Sequence, residues 1–378
     1  MTPVNHIWGE HLRPVDLPAL SPAPLVSVLV ANYNYGRFLA QALESVLGQT
    51  YKHYELVVCD DGSTDDSREI LNDFASKHGQ VKVVLQENKG QAEAILAAYQ
   101  LSSGEILCFL DSDDTFDPTK LEEVVKAFLS APEAGFLVHR LTAADISLRP
   151  TRPVPVTGRL VSGWKAPQMP LRSPQMLWGM PPGSGLAFRR AVAERIMPHV
   201  RGRKAYPDGV VQILAPLVTP IIAIDHSLGM YRVHGENSFA LRKFTGSDLE
   251  RFALRDEGLW LAWRSFVMAL VPELPSTFPL PPEKAPSVVS YACARIKGEP
   301  VAELLYANVI ASQQLDSMYL PHRWFWKSAA FLPDWLFEKG FNLIYGKSWV
   351  KEVVSHITLW LRARRAVAQL KTADLRKN

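Results

Sequence analysis

Ile106-Leu107-Cys108-Phe109-Leu110-Asp111-Ser112-Asp113-Asp114 is the stretch on which the reading of this chain turns. An apolar run delivers three carboxylates to one point. A buried strand that ends in clustered acids is unfavourable unless a cation neutralises them. Hard divalent ions such as Mg²⁺ take carboxylate oxygens together with substrate phosphates, so a metal–phosphate site is one reading. The segment alone admits others. Asp111-x-Asp113-x-Thr115 matches the DxDxT pattern of a phosphohydrolase, in which the first Asp is the nucleophile. Asp111, Asp113 and Asp117 with Glu122 also follow part of a calcium loop, but Phe116 stands where that loop needs Gly. An Asx turn capping a helix before Pro118 is the purely local alternative.

Upstream, the chain alternates apolar strands and helical patterns. Leu25–Ala31 reads as a buried strand, followed by a helix over Arg37–Gln49. Glu55–Cys59, Gln80–Leu85 and Glu105–Leu110 read as three more strands. Helices over Asp65–Lys77 and Gln91–Leu101 separate them. This spacing implies βαβ units and an α/β fold with a mixed, mostly parallel sheet flanked by helices. Ligands of such sheets bind at the carboxyl ends of the strands. The polar clusters all fall there: Asn32-Tyr33-Asn34, Asp60-Asp61-Gly62-Ser63 and Asp111-Ser112-Asp113-Asp114. The phosphohydrolase pattern belongs after a first strand, whereas here three βα units precede it.

Further along, Pro150–Met180 is rich in Pro and Gly and reads as a long connection. Gly185–Phe188 and Ile221–Ile224 read as strands, and Gly209–Ile224 as a buried helix running into a strand. Beyond about Ser247 the pattern is helical. Residues 1–24 read as an irregular arm, 25–240 as an α/β domain in two parts, 25–115 and 116–240, and 241–378 as a helical C-terminal region.

The 378 residues carry 41 Lys/Arg and 38 Asp/Glu, a net charge of +3. Residues 321–378 hold 11 of the basic and 4 of the acidic residues, leaving 30 and 34, or −4, in the first 320. Five of the ten tryptophans lie in the same basic tail. Val350–Leu370 reads as an amphipathic helix. It suits either the surface of a membrane or packing against other helices or another subunit. The acidic balance of the first 320 residues argues against a nucleic-acid partner. No leader pattern and no membrane span is expected, because both long uncharged runs are short and broken by proline. Cys59, Cys108 and Cys293 have no CxxC spacing and fit buried thiols in a reducing cytosol.

Taken in order, VSVLVANYNYGRFLAQALESVLGQTY, YELVVCDDGSTDDS, ENKGQAEA, SGEILCFLDSDD and LGMYRVHGENS resemble the family 2 inverting glycosyltransferases of the GT-A fold. The resemblance covers about Leu25–Ser238. It implies transfer of a sugar from a nucleotide-diphospho-sugar, foremost a UDP-sugar, to an acceptor hydroxyl, glycan or lipid-linked, in the assembly of surface polysaccharide or glycan. It also implies a location in the cytoplasm or at the cytoplasmic face of the membrane. By the same resemblance Asp61 accepts the imide N–H of the base, and Asn32 and Tyr33 line base and ribose. Asp113 ligates Mn²⁺ or Mg²⁺, Asp111 shares the metal or contacts the ribose, and Ser112 lies between them. His234 is a third metal ligand, Arg232 pairs with phosphate, and Asp208 is the catalytic base. Two departures stand out: Pro207 replaces the usual Glu before Asp208, and Ile95 and Leu96 stand where many relatives carry an Arg or Asn pair. The competing functions are the phosphohydrolase and a non-catalytic nucleotide-binding domain.

Overall fold

The structure is a computed structural model that describes residues 13–153, 160–166, 180–202, 206–234, 237, 246–270, 287–311 and 320–345. The tail helix expected over 350–370, most of the Pro-rich stretch after 153 and the stretch 271–286 lie outside the described residues. The chain divides into two compact units. One comprises Met1–His234 with Leu254–Ala285, and the other Gly235–Ala253 with Pro286–Asn378.

The first unit is built on one mixed sheet. Its N-terminal half contains β1 (Val26–Asn32), β2 (Tyr54–Asp61), β3 (Val81–Gln86) and β4 (Ile106–Asp111), all parallel. The intervening helices are α1 (Gly36–Leu47), α2 (Ser67–Lys77) and α3 (Gln91–Leu101). The expected alternation is thus observed. After β4 come the short β5 (Thr115–Phe116), α4 (Lys120–Ser130), β6 (Phe136–Ala144) and β7 (Pro150–Pro153). They are followed by β8 (Leu186–Arg189), α5 (Arg190–Ile196), α6 (Pro207–Val218) and β9 (Ile221–Arg232). The strand order is β3-β2-β1-β4-β8-β6-β9-β5, with β7 paired to β6. The second half mixes directions: β8 runs antiparallel to β4 and β6, while β9 runs parallel to β6.

Alternate strand residues face opposite sides, and both sides are buried. Leu29, Val57, Phe109 and Phe136 pack with Ile95 and Leu96 of α3, Val210 and Leu214 of α6, and Trp260, Trp263 and Phe266. These last three lie on α7 (Gly246–Leu270). Val28, Val30, Leu56, Val58 and Leu110 pack on the other side with Leu39 and Leu43 of α1, Leu71 of α2 and Leu121, Val124 and Phe128 of α4. A three-layer core follows directly from the apolar runs. It also explains one departure from the family pattern, because Ile95 and Leu96 are core residues here.

Two expectations are corrected. The stretch read as aperiodic from Pro150 opens with β7, where prolines are tolerated because the strand pairs only with β6. β9 extends well past Ile224, through the exposed Asp225 and His226, because its backbone keeps pairing with β6 across two register shifts.

The second unit contains α8 (Val288–Ile296), α9 (Ala302–Ala311), α10 (Leu320–Ser328) and α11 (Asp334–Tyr345). The Ser287 hydroxyl caps α8 by accepting from the N–H groups of Val289 and Ser290. Tyr291, Trp326, Phe337 and Phe341 form its aromatic core, and the Arg295 guanidinium lies 4.3 Å from the Phe337 ring centroid. No helix among the described residues is long and apolar enough to cross a membrane.

At the amino ends of the parallel strands, Glu55 of β2 is buried yet charged. It accepts from Ser27 Oγ (2.6 Å), the Ser103 N–H (2.5 Å) and Lys82 Nζ (2.6 Å), tying β1, β3 and the β4 entry together. Burial alone raises its pKa, but these donors outweigh it and hold the carboxyl below its ordinary value. Glu55→Gln should therefore cost about 2 kcal/mol in chemical denaturation at neutral pH. Because the folded value is the lower one, this stabilisation is present above the unfolded value of about 4.3 and fades as pH falls through the folded one. The gap between wild type and variant should narrow below about pH 4; an unchanged gap there would refute the assignment.

Candidate active site

Strand register brings the polar clusters to one edge of the sheet. Asn32 ends β1 opposite Asp60 of β2, and Ala31 pairs with Asp111 at the end of β4. The carboxyl ends of three neighbouring strands thus present Asn32, Asp60, Asp61 and Asp111 side by side.

Asp60 is fully buried. It accepts from Asn32 Nδ2 (2.9 Å), Ser63 Oγ (2.5 Å), the Ser63 N–H (3.0 Å) and Arg68 Nε (3.1 Å). Those donors outweigh burial and lower its pKa. Asn32 is left with its Oδ1 buried and without a hydrogen-bond partner, an acceptor available to a ligand N–H or O–H. Tyr33 beside it is 45% exposed, as a ring offered to a ligand would be.

Asp61 is buried and binds the loop after β3. One of its oxygens accepts from Gln86 Nε2 (2.7 Å) and the Lys89 N–H (2.8 Å), and the other from the Gly90 N–H (2.8 Å). It therefore holds that loop against the carboxyl end of β2. The loops after β2 and β3 each need a glycine. Gly90 has φ +93°, and Gly62 has φ +82°, with a Cβ there lying 2.8 Å from the Asn88 nitrogen.

The acids after β4 are divided among separate partners. Asp111 donates its backbone N–H to Ser184 Oγ (3.0 Å), and Ser184 Oγ donates to Asp114 Oδ2 (2.6 Å). Asp114 Oδ1 accepts the Arg232 N–H at 2.9 Å. Asp113 Oδ2 meets His234 Nε2 at 2.9 Å, and the imidazole packs 5.0 Å from the Phe38 ring. Ser112 is buried. The Asx turn belongs to Asp117, which accepts from the Thr119 N–H (3.0 Å), so the cluster itself is not a helix cap.

Burial raises Asp111 well above the usual carboxylate range, and repulsion from Asp113 and Asp208 adds to it. Burial raises Asp114 likewise, with Asp113 and Asp111 as the repelling neighbours. Beneath them lies Lys120, fully buried, its Nζ donating to the Ser184 carbonyl at 2.7 Å and standing 3.3 Å from the Phe116 ring centroid. Burial lowers this lysine to about 7 against the pull of Cys108, Asp114 and Asp111. Tyr231 is raised by burial and then by Asp114, Asp113, Asp111 and Asp208, which places its phenol amid the same acids.

Asp208 sits in the first turn of α6, whose N-cap is Tyr206 at φ +66°, so it is not a plain cap. Burial raises its pKa against the Gly209 N–H and Arg255. Its relation to Asp111 is given by Gly183. A Cβ there would stand 3.3 and 3.4 Å from the Asp111 carboxylate oxygens and 3.4 Å from the Asp208 Cβ. Two acids 97 residues apart in sequence thus flank a single glycine.

One expected contact is corrected. Arg232 is fully buried, and its guanidinium donates to the carbonyls of Asp113 (2.8 Å) and Ile146 and to Gln41 Oε1 (2.8 Å), stacked 4.6 Å from the Phe38 ring centroid. It clamps the acid loop from behind instead of facing a phosphate. Among the described residues no three His, Cys, Asp or Glu side chains converge as a metal cage; the convergent pair is Asp113 with His234. Sequence reasoning missed Lys120 and Ser184, which carry no local signal.

The Glycosyl transferase family 2 model matches residues 27–196. An uncharacterized glycosyltransferase of Nostoc sp., alr2836, is 34% identical over 216 residues, covering 56% of this chain and 66% of that protein. The Escherichia coli chondroitin synthase is 36% identical over 114 residues, covering 30% of this chain and 17% of the synthase. This chain therefore spans just under two thirds of the first relative's length and a small part of the second's. A solved structure of S. aureus TarS 1-349 with UDP-GlcNAc superposes at TM-score 0.49 and 16% identity, over 81% of this chain and 87% of that one. Residues 27–196, somewhat under half of the chain, thus carry its likeness to glycosyl transferase family 2.

Proposed function

We propose that this protein is an inverting glycosyltransferase that moves a sugar from a nucleotide-diphospho-sugar, foremost a UDP-sugar, to an acceptor hydroxyl. The observation that carries this reading is the approach of both Asp111 and Asp208 to the position that a Cβ on Gly183 would take. It brings a donor-side carboxylate and a base to one small space. Surface polysaccharide or glycan assembly is the setting that the relatives' names support.

In this reading Asp61 and the loop it organises hold the base, the unpartnered Asn32 Oδ1 accepts a hydrogen bond from base or ribose, and Tyr33 covers them. Asp208 takes the acceptor proton. As the acceptor O–H breaks, its oxygen bonds to the anomeric carbon, and the bond to the diphosphate oxygen breaks on the opposite face with the electron pair leaving on the nucleotide. Burial makes Asp208 a stronger base than an exposed aspartate.

The residues present fit a divalent ion. The donor set consists of hard carboxylate oxygens and one imidazole, and the raised Asp111 and Asp114 show more buried negative charge than Lys120 offsets. Mg²⁺ and Mn²⁺ suit one or two protein carboxylates with substrate phosphates and water, so a two-residue core does not need a full cage. Asp113 and His234 would hold it. When bound, such an ion neutralises charge on the departing diphosphate.

Two outcomes are expected. Asp208→Asn should keep UDP binding by calorimetry while turnover falls by about 10²–10⁴-fold; turnover at the wild-type rate would reject Asp208 as the base. Asp113→Ala should abolish the gain in UDP affinity that MnCl₂ gives the wild type, and chelation of the wild type should reproduce that loss. A variant that still responds to Mn²⁺ as the wild type does would remove Asp113 from the metal site.

A further inference from the structure

The Gly183–Ser184–Gly185 turn touches three of the four acids of the site, and the catalytic reading above leaves it without a role. A Cβ on Gly183 would meet both Asp111 and Asp208. Ser184 Oγ joins the Asp111 backbone to the Asp114 carboxylate. Gly185 is closely packed, since a Cβ there would fall 2.5 Å from Pro181 and 3.0 Å from the His139 carbonyl. The turn is fixed on its far side by Lys120, whose ammonium donates to the Ser184 carbonyl. Lys120 is in turn anchored by its helix. Leu121, Val124 and Phe128 are core residues, and the Leu121 N–H donates to Gln49 Oε1 (2.9 Å).

A fully buried ammonium is costly to desolvate, and an apolar side chain of similar length would fill the position. What an apolar residue lacks is a donor aimed at the Ser184 carbonyl. Gly183 has a parallel logic. Its φ is not positive, so the backbone does not demand glycine, and the absent side chain leaves space beside the Asp111 carboxylate and the Asp208 Cβ.

We propose that this turn is the sugar-facing floor of the site, with Gly183 as its specificity-determining position and Lys120 as the positioning residue that holds it. The missing Cβ at Gly183 leaves room for the anomeric carbon and the incoming oxygen between Asp111 and Asp208. Lys120, through the Ser184 carbonyl, fixes how far apart those two acids stand. The inference rests on the glycosyltransferase reading. It differs from it in locating the sugar, not the nucleotide, against this turn.

The test separates the two subsites. Calorimetry with UDP and MnCl₂ reports the nucleotide, and UDP release from UDP-glucose, UDP-galactose and UDP-N-acetylglucosamine reports the sugar. Gly183→Ala and Lys120→Met should each bind UDP within about threefold of wild type. Their kcat for UDP release should fall by roughly 100-fold, as expected for misplaced reacting groups. Should Lys120→Met fail to fold, Ser184→Ala, which cuts the link between Asp111 and Asp114 but keeps the carbonyl that Lys120 holds, carries the same expectation. Wild-type kcat in Gly183→Ala overturns the proposal. So does a loss of UDP affinity in step with kcat in folded variants, because the turn would then support the whole pocket. A wild type that neither binds UDP nor releases it from any of the three donors would sink the glycosyltransferase reading and this inference with it. An active wild type with unaffected variants would sink the inference alone.

Discussion

Buried carboxylates crowded at the ends of parallel strands are the constraint around which the first unit is organised. Asp111 and Asp114 lie in a region that raises their pKa well above the ordinary range, with Asp113 alongside. Such a cluster survives folding only if each oxygen has a donor or a cation. Ser184 and the Arg232 backbone serve Asp114, His234 meets Asp113, and Lys120 lies beneath. The raised pKa values of Asp111 and Asp114 mark the electrostatic cost that these partners leave unrelieved.

The long-range partners also explain the topology of the second half. β8 runs antiparallel to β4, and the turn that precedes β8 therefore arrives next to the carboxyl end of β4. β9 runs parallel to β6 and ends at Arg232, which places its backbone N–H on Asp114 and its guanidinium behind Asp113. A strand that stopped at Ile224, as the apolar pattern implied, would not deliver Arg232 there. The sheet's change of direction is thus the means by which residues from 184 and 232 reach acids at 111–114.

Two side chains changed meaning between sequence and structure. Arg232 stood in a segment that suggested a phosphate contact, but a buried guanidinium already donating to two carbonyls and a glutamine acts as a brace. Asp61 stood where a base-reading carboxylate was expected, and it also accepts three hydrogen bonds that fold the loop over that position. Residue type and order identify a motif. They do not show which of a side chain's donors or acceptors the fold has already engaged.

The amino-acid sequence by itself determined the α/β class, the order of the first four strands, the edge of the sheet where the polar residues gather, and Asp61, Asp111, Asp113 and Asp208 as the acids of interest. Those features are local, because an apolar run, a helical period and a polar residue at a strand end are all written within a few positions. Only the tertiary structure decided that Asp111 and Asp208 meet at Gly183, that Lys120 and Ser184 lie against the acids, that Arg232 faces inward, and that β6, β7 and the rest of β9 complete the sheet. Each depends on contacts between residues tens to over a hundred positions apart. Such contacts are set by strand pairing and close packing of the whole core, which no window of sequence contains.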